Sequence, residues 1–278
     1  MTVRSEPLFL FGPGYSAKAL SKLWQGPIYG TVRSERSLEA LKRTSIKPIP
    51  VGEKDTIIQS LEGAHLLISA PPGETGCPAL QMLGDHAKCA ASVTYLSTTG
   101  VYGDLKGGWA MEWSAVQPQS DRAQRRAQAE AGWLEAHDWV RLVRLPGIYG
   151  PGRSALERVQ SGKARRIVKP GQVFSRIHVE DIASGLKSLL QSGALGAFNL
   201  CDDEAAPPQD VIEFAANLLG VTPPPDIHFD EAELSPMGRS FYAECKRVAN
   251  ARIKAATGWR PKYPTYREGL SAIAAQMA

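Results

Sequence analysis

Leu8-Phe9-Leu10-Phe11-Gly12-Pro13-Gly14-Tyr15-Ser16-Ala17 is the stretch that decides the fold. Four consecutive apolar residues with no polar alternation suit a strand buried on both faces of a parallel sheet. The pattern Gly-x-Gly-x-x-Ala then opens a helix, predicted over Ser16 to Trp24. Gly12 permits the tight turn, Gly14 lets backbone approach a phosphate, and Ala17 lets helix and strand pack closely. Tyr15 and Ser16 belong to the same turn. The free N–H groups and positive dipole end of such a helix favour a pyrophosphate. The plain alternative is a glycine turn with no ligand, and the strand–helix context argues against it.

Working outward, strands are predicted over Pro27 to Val32, His65 to Ser69, Val93 to Ser97 and Trp139 to Leu145, with helices over Glu35 to Arg43 and from Ser120 or Asp121 to about Ala136. Gln124 is placed to complete a capping box at the start of that long helix. Such alternation predicts βαβ units and a doubly wound parallel α/β sheet. After Pro146 the texture turns Pro-, Gly- and Arg/Lys-rich. Helices are expected over Val179 to Gln191, Asp210 to Leu219 and Lys246 to Thr257, a last sheet strand over Phe198 to Leu200, and a loop over Val221 to Asp230. The expected organisation is a dinucleotide-binding domain over 1–150 and a smaller substrate-binding lobe over 151–278, of which about 177–200 returns to the sheet.

The second predicted strand runs into Arg33-Ser34-Glu35-Arg36. This is where an adenine ribose is read. An acidic residue there would specify NAD, whereas Arg33, with Arg36 one turn on, suits the 2′-phosphate of NADP. NADP is therefore the expected cofactor and NAD the weaker one, with Glu35 as a complication and a solvated Arg pair as the plain alternative.

The chain has 278 residues, 43% hydrophobic and 22% charged, with a formal net charge of +4. That is an ordinary globular composition. The basic residues are spread along the chain, which argues against nucleic acid but suits an anionic ligand. No apolar run approaches the ~18 residues of a membrane span, and the opening LFLF run is too short for a signal peptide. Cys77, Cys89, Cys201 and Cys245 form no Cys-x-x-Cys pair, so reduced thiols in a cytoplasmic protein are expected. No metal site is expected; Asp202-Asp203-Glu204 reads as a solvated turn.

Further motifs carry a resemblance. Tyr95-Leu96-Ser97-Thr98-Thr99-Gly100-Val101-Tyr102-Gly103-Asp104 is followed by Arg144-Leu145-Pro146-Gly147-Ile148-Tyr149-Gly150-Pro151-Gly152, by Ile177-His178-Val179-Glu180-Asp181, by Phe198-Asn199-Leu200 and by Gly258-Trp259-Arg260-Pro261. In this order they resemble the extended short-chain dehydrogenase/reductases, the NAD-dependent epimerase/dehydratase-like family, across nearly the whole chain. The resemblance implies that Thr98 is the hydroxyl that bonds the reacting substrate oxygen, with Thr99 as a neighbour. It implies that Ala70, Pro71 and Pro72 lie along the cofactor ribose and that Pro146 and Ile148 face the nicotinamide carboxamide.

The departures are as informative. The family's Tyr-x-x-x-Lys precedes a Glu by four residues; counting back from Glu130 puts Arg126 at the Lys and Arg122 at the Tyr. Arginine stays protonated near neutral pH and cannot replace a phenol as acid/base. The chain thus resembles an atypical branch that lacks the usual Tyr. Thr99 and Gly100 stand where the family's 4,6-dehydratases carry Asp and Glu, so that elimination is not expected.

The function expected is an NADP-dependent oxidoreductase or epimerase-like enzyme on a small polar, anionic or sugar-like substrate. Thr98, Arg122 and Arg126 are the catalytic candidates, and Thr99, Tyr102, Tyr149, Arg176 and His178 the candidate substrate contacts. His178 also reads as a packed residue at a domain junction, and the Arg cluster also reads as a solvated helix face. A non-catalytic NADP-binding sensor is the alternative. The partner expected is a small molecule; a homodimer is left open.

Overall fold

The structure, a computed structural model, describes residues 6–277. Residues 1–5 and 278 of the two expected domains lie outside the described residues. The chain begins β1 (Leu8–Phe11), α1 (Tyr15–Ser21), β2 (Ile28–Val32), α2 (Glu35–Lys42), β3 (Lys47–Pro50), α3 (Lys54–Leu61), β4 (His65–Ile68), α4 (Pro78–Leu83) and β5 (Ser92–Thr98). It continues with β6 (Trp109–Ala110), α5 (Asp121–Ala136), β7 (Val140–Leu145), β8 (Gly147–Tyr149), α6 (Ala155–Gln160), β9 (Arg166–Val168), β10 (Arg176–His178), α7 (Val179–Ser192) and β11 (Gly196–Asn199). Last come α8 (Pro208–Leu218), β12 (Asp226–His228), α9 (Pro236–Tyr242), β13 (Arg247–Val248), α10 (Ala251–Thr257) and α11 (Tyr266–Met277).

Seven parallel strands form one sheet in the order β11-β7-β5-β4-β1-β2-β3. The chain runs outward from β1 through β2 to β3, then crosses back to β4 and runs outward the other way. The reversal lies between β1 and β4. In open α/β sheets this switch point leaves a crevice at the carboxyl ends of the strands. The strands are mostly buried because both faces are covered. Ala17 and Leu20 of α1, Ile182, Leu186 and Leu189 of α7 and Ile253 of α10 pack on one face. Ile57 and Leu61 of α3, Ala79 and Leu83 of α4 and Trp133 of α5 pack on the other.

The doubly wound α/β class is the one expected. Lys47-Pro48-Ile49-Pro50 forms the edge strand β3, which tolerates two prolines because at an edge one side of the strand needs no ladder donors. Three local expectations need correction. The helix expected over Lys246 to Thr257 is only α10; Arg247 and Val248 pair with β6 instead, and the last helix is α11. Within the expected loop over Val221 to Asp230, β12 pairs with β9. At the start of α5 the Ser120 hydroxyl accepts from the Ala123 amide, and Gln124, one residue too far, closes no capping box.

A second core joins Leu156 of α6, Val211 and Ala215 of α8 and Tyr266, Leu270 and Ile273 of α11 around Tyr149. Asp181 ties this half to α7, its carboxylate accepting from the amides of Lys262 (2.6 Å) and Tyr263 (3.1 Å). All four cysteines are free. Among the described residues no helix is long and apolar enough to cross a membrane, and no three metal-ligating side chains are gathered to hold an ion.

Candidate active site

Because every strand of the main sheet runs the same way, the segments that follow β1, β2, β4, β5 and β7 meet along one edge. That edge carries the glycine turn, Arg33, Ala70 to Pro72, Thr98 and Pro146 to Ile148.

The glycine turn shows two different reasons for glycine. Gly12 sits at φ +72°, and a Cβ there would stand 2.8 Å from Ala70 Cβ. Its presence is dictated by the protein itself, which presses β1 against the end of β4. Its amide donates to Thr31 Oγ1 at 2.9 Å. Gly14 has ordinary backbone angles, and a Cβ there would meet Ser69 Oγ at 3.4 Å and Gly12 O at 3.9 Å, both ordinary contacts. Packing alone does not require glycine at position 14. Ser16 and Ala17 are buried at the start of α1. Tyr15 turns toward the β7 side: its hydroxyl donates to Pro151 O at 2.9 Å and lies against Gly150, with its pKa raised by burial. It therefore braces the loop carrying Pro146 and Ile148, a role the motif did not reveal.

Arg33 and Arg36 are both exposed, and among the described residues neither makes a hydrogen bond or an ion pair. Between them Ser34 and Ser37 form a reciprocal capping box that fixes the start of α2. Pro71 is exposed, and Ala70 and Pro72 are half-buried at the end of β4.

At the end of β5, Thr98 Oγ1 accepts from the Gly100 amide at 3.2 Å, which leaves its own O–H free to donate. Gly100 packs on α5: a Cβ there would stand 3.5 Å from Ala123 Cβ and 3.5 Å from Thr98 Oγ1. Arg126 Nη1 donates to Leu96 O (2.6 Å) and to Tyr95 Oη (3.2 Å). Arg126 is thus held one residue pair below Thr98 with its other nitrogens uncommitted. Arg122 departs from it and lies over the ring of Phe241 in α9, at 5.5 Å. No sequence pattern had singled out Phe241; only the tertiary fold places it opposite α5.

The candidate substrate contacts fare differently from expectation. Tyr102 is wholly buried, its hydroxyl donating to Asn199 Oδ1 at 2.6 Å and accepting from Arg144 Nη1 at 3.0 Å. Arg144 also grips Glu130 in a two-pronged ion pair (2.7 and 3.1 Å), and Glu112 accepts from the Asn199 amide. This network joins β7, α5 and β11 below the site, so Tyr102 belongs to the frame and not to the cleft. Tyr149 points into the core of the C-terminal half, against Gly269. Arg176 directs its guanidinium to the carbonyls of Phe174 (2.7 Å) and Ala206 (3.1 Å). His178 is buried between Tyr149 and Tyr263, its Nδ1 capping α7 through the Glu180 amide, and burial lowers its pKa to about 4. It is the packed junction residue. Thr99 is buried in the turn after β5. These side chains are held by packing or capping, although the Tyr149 hydroxyl and His178 Nε2 are buried without a hydrogen-bond partner among the described residues. Tyr95, the other tyrosine near Arg126, is buried and pushed up to about 12, so it stays protonated.

The comparisons agree with this architecture. No family model matches the chain. It is similar, at 44% identity over 98% of its length and 99% of the other chain, to a functionally unknown conserved protein of Silicibacter pomeroyi, with a TM-score of 0.91. It shares the fold of a dTDP-glucose 4,6-dehydratase of Bacillus anthracis solved with NAD, at TM-score 0.77 and 16% identity over 98% of this chain and 96% of that one. A 3-diazoavenalumate denitrifying reductase of a Streptomyces species is 32% identical over 158 residues, 52% of this chain and 51% of that protein. The chain thus spans about half the length of the curated relative it matches. With motifs, strand order and near-full-length similarity in agreement, the chain belongs to one family with the conserved Silicibacter pomeroyi protein, built on the fold of the extended NAD-dependent epimerase/dehydratases.

Proposed function

We propose that the chain is an NADP(H)-dependent reductase of a small anionic substrate, working without the family's tyrosine. The observation that carries this reading is the pair Gly14 and Thr98 on one sheet edge: a glycine that only a close ligand requires, and a hydroxyl with a free proton at the reacting position. Gly12 to Ala17 would hold the pyrophosphate, Arg33 and Arg36 the 2′-phosphate, and Pro146 and Ile148 the carboxamide side. When bound, the nicotinamide supplies or takes up hydride. Thr98 would donate a hydrogen bond to the substrate atom that becomes negative, and Arg126 would add positive charge there without moving a proton. With no phenol at the site, the proton comes from water or from the substrate itself. A reductase is favoured over an epimerase by the name of the Streptomyces relative.

Calorimetric titration with NADP(H) and NAD(H) tests the cofactor, and NADPH consumption against a panel of carbonyl compounds tests the reaction. Tighter NADP(H) and turnover of at least one carbonyl compound are expected. Tight cofactor binding with no turnover of any compound would favour the second reading, a non-catalytic NADP-binding sensor. Its specific support is the engagement of Tyr102 and Tyr95 in the frame.

A further inference from the structure

One side chain joins the glycine turn to the loop that follows β8. Tyr15 comes directly after Gly14, and its hydroxyl donates to Pro151 O, 136 positions away, at 2.9 Å. Among the described residues this is the only hydrogen bond between residues 12–17 and residues 147–277. The joint is tight. A Cβ on Gly150 would overlap Tyr15 Oη and stand 2.6 Å from Val179 Cγ1. Gly150 is therefore wedged between the first residue of α1 and the first residue of α7. Those two helices share one core through Ala17, Leu20, Ile182 and Leu186, so the wedge has firm sides. The loop is stiff as well. Gly150 and Arg153 exchange backbone hydrogen bonds of 3.2 and 2.9 Å, and the Glu157 carboxylate accepts from the amides of Gly152 (2.7 Å) and Ser154 (2.8 Å). Its near end continues from β8, which starts one residue after Pro146 at the top of β7. A shift at Tyr15 is thus passed to Pro146–Ile148 with little give. Phenylalanine would fill the same space as Tyr15, so the bond to Pro151 is what the hydroxyl adds to the packing.

We propose that Tyr15 is a positioning residue, whose hydroxyl makes the order of the Gly147–Ser154 loop depend on the cofactor held at the glycine turn. This rests on the cofactor reading of that turn. A ligand that orders residues 12–17 fixes the phenol, and the fixed phenol holds Pro151. The coupling is reciprocal: a loop held in place by substrate must favour cofactor binding by the same factor.

Amide hydrogen exchange of the parent and of Tyr15→Phe, each with and without saturating NADP, tests this, with calorimetry for the NADP affinity. The bonded amides of Gly150, Gly152, Arg153 and Ser154 report opening of the loop. In the parent, NADP should slow exchange over both 10–21 and 147–156, the second by about fivefold, the worth of one hydrogen bond. In Tyr15→Phe the slowing over 10–21 should remain and that over 147–156 disappear, with NADP bound about fivefold more weakly. Gly150→Ala, which pushes on Tyr15 Oη from the loop side, should uncouple the two segments in the same way. A variant loop that exchanges faster by one constant factor, with and without NADP, has lost only a brace, and that overturns the proposal. Equal slowing of the loop in parent and Tyr15→Phe overturns it too. If NADP slows nothing over 10–21 in the parent, the cofactor reading fails and takes this inference with it; slowing there with none over 147–156 sinks this inference alone.

Discussion

Two corners of the sheet edge, the turn between β1 and α1 and the corner between β5 and α5, are built in opposite ways. The first is marked by what is missing: a side chain at Gly14, with backbone amides left free at the start of α1. The second is marked by what is added: a hydroxyl on Thr98 and guanidinium groups on α5. A backbone site demands short local patterns and keeps them. A side-chain site can exchange its members, and under the proposed function the family's phenol is absent while the surrounding frame of Glu130, Arg144, Tyr102 and Asn199 is complete. The lesson is that an intact frame says little about which chemistry it still supports.

The sharpest way to break this contrast is at the two glycines. Gly14→Val should abolish NADP binding yet leave the thermal midpoint of the apo protein nearly unchanged, since its Cβ meets nothing nearer than Ser69 Oγ at 3.4 Å. Gly12→Val should instead destabilise the fold, because φ +72° and the 2.8 Å approach to Ala70 both oppose a side chain. Melts with and without NADP read both; a ligand-induced shift surviving in Gly14→Val would refute the assigned turn.

Next in size is the corner at β5. Thr98→Val and Arg126→Ala should each lower turnover on the order of a hundredfold, the effect of one positioned donor. Tyr102→Phe should act on stability, by about 1–3 kcal/mol, because it leaves Asn199 Oδ1 and Arg144 each short of a buried partner. Steady-state rates beside denaturant unfolding separate the two effects. A dead but fully stable Tyr102→Phe would return that tyrosine to the chemistry.

Arg33→Ala should weaken NADP binding about tenfold and leave NAD binding alone, since a charge-assisted contact contributes roughly 1.5–3 kcal/mol. Parallel loss for both cofactors would mean that Arg33 does not read the 2′-phosphate.

The smallest effect concerns the junction that both ends share. Burial lowers His178 to about 4, so the stability it permits is lost as pH falls from about 6.5 toward 4. Burial raises Asp181 to about 6, partly offset by its two amide donors, so its contribution is full below about pH 4 and is lost as pH rises through 6. The two run in opposite directions and largely cancel. His178→Asn keeps an acceptor for the Glu180 amide and removes one of them. Relative to the parent, the variant should gain on the order of 1 kcal/mol as pH drops from 6.5 to 4.5. A constant offset across that range would exclude His178 from the pH response.

Sequence alone determined the elements whose signals are local. The runs of β1, β4, β5 and β7 announce strands because a parallel sheet buries both faces, and the glycine turn announces itself because its small residues fall at fixed spacing within six positions. Motif order drew attention to Thr98 and Arg126, and Arg126 bonds β5, the strand that ends in Thr98. Tertiary structure alone decided what each remaining side chain touches. Tyr102, Tyr149 and His178 lie in motifs of the active-site half, yet contacts with Asn199, Gly269 and Tyr263, some 85 to 120 positions downstream, turn them into the frame and core. Phe241 reached Arg122 across 119 positions with no pattern to announce it. Backbone conformation is settled among near neighbours, whereas the environment of a polar side chain depends on partners that only the closed fold brings within reach.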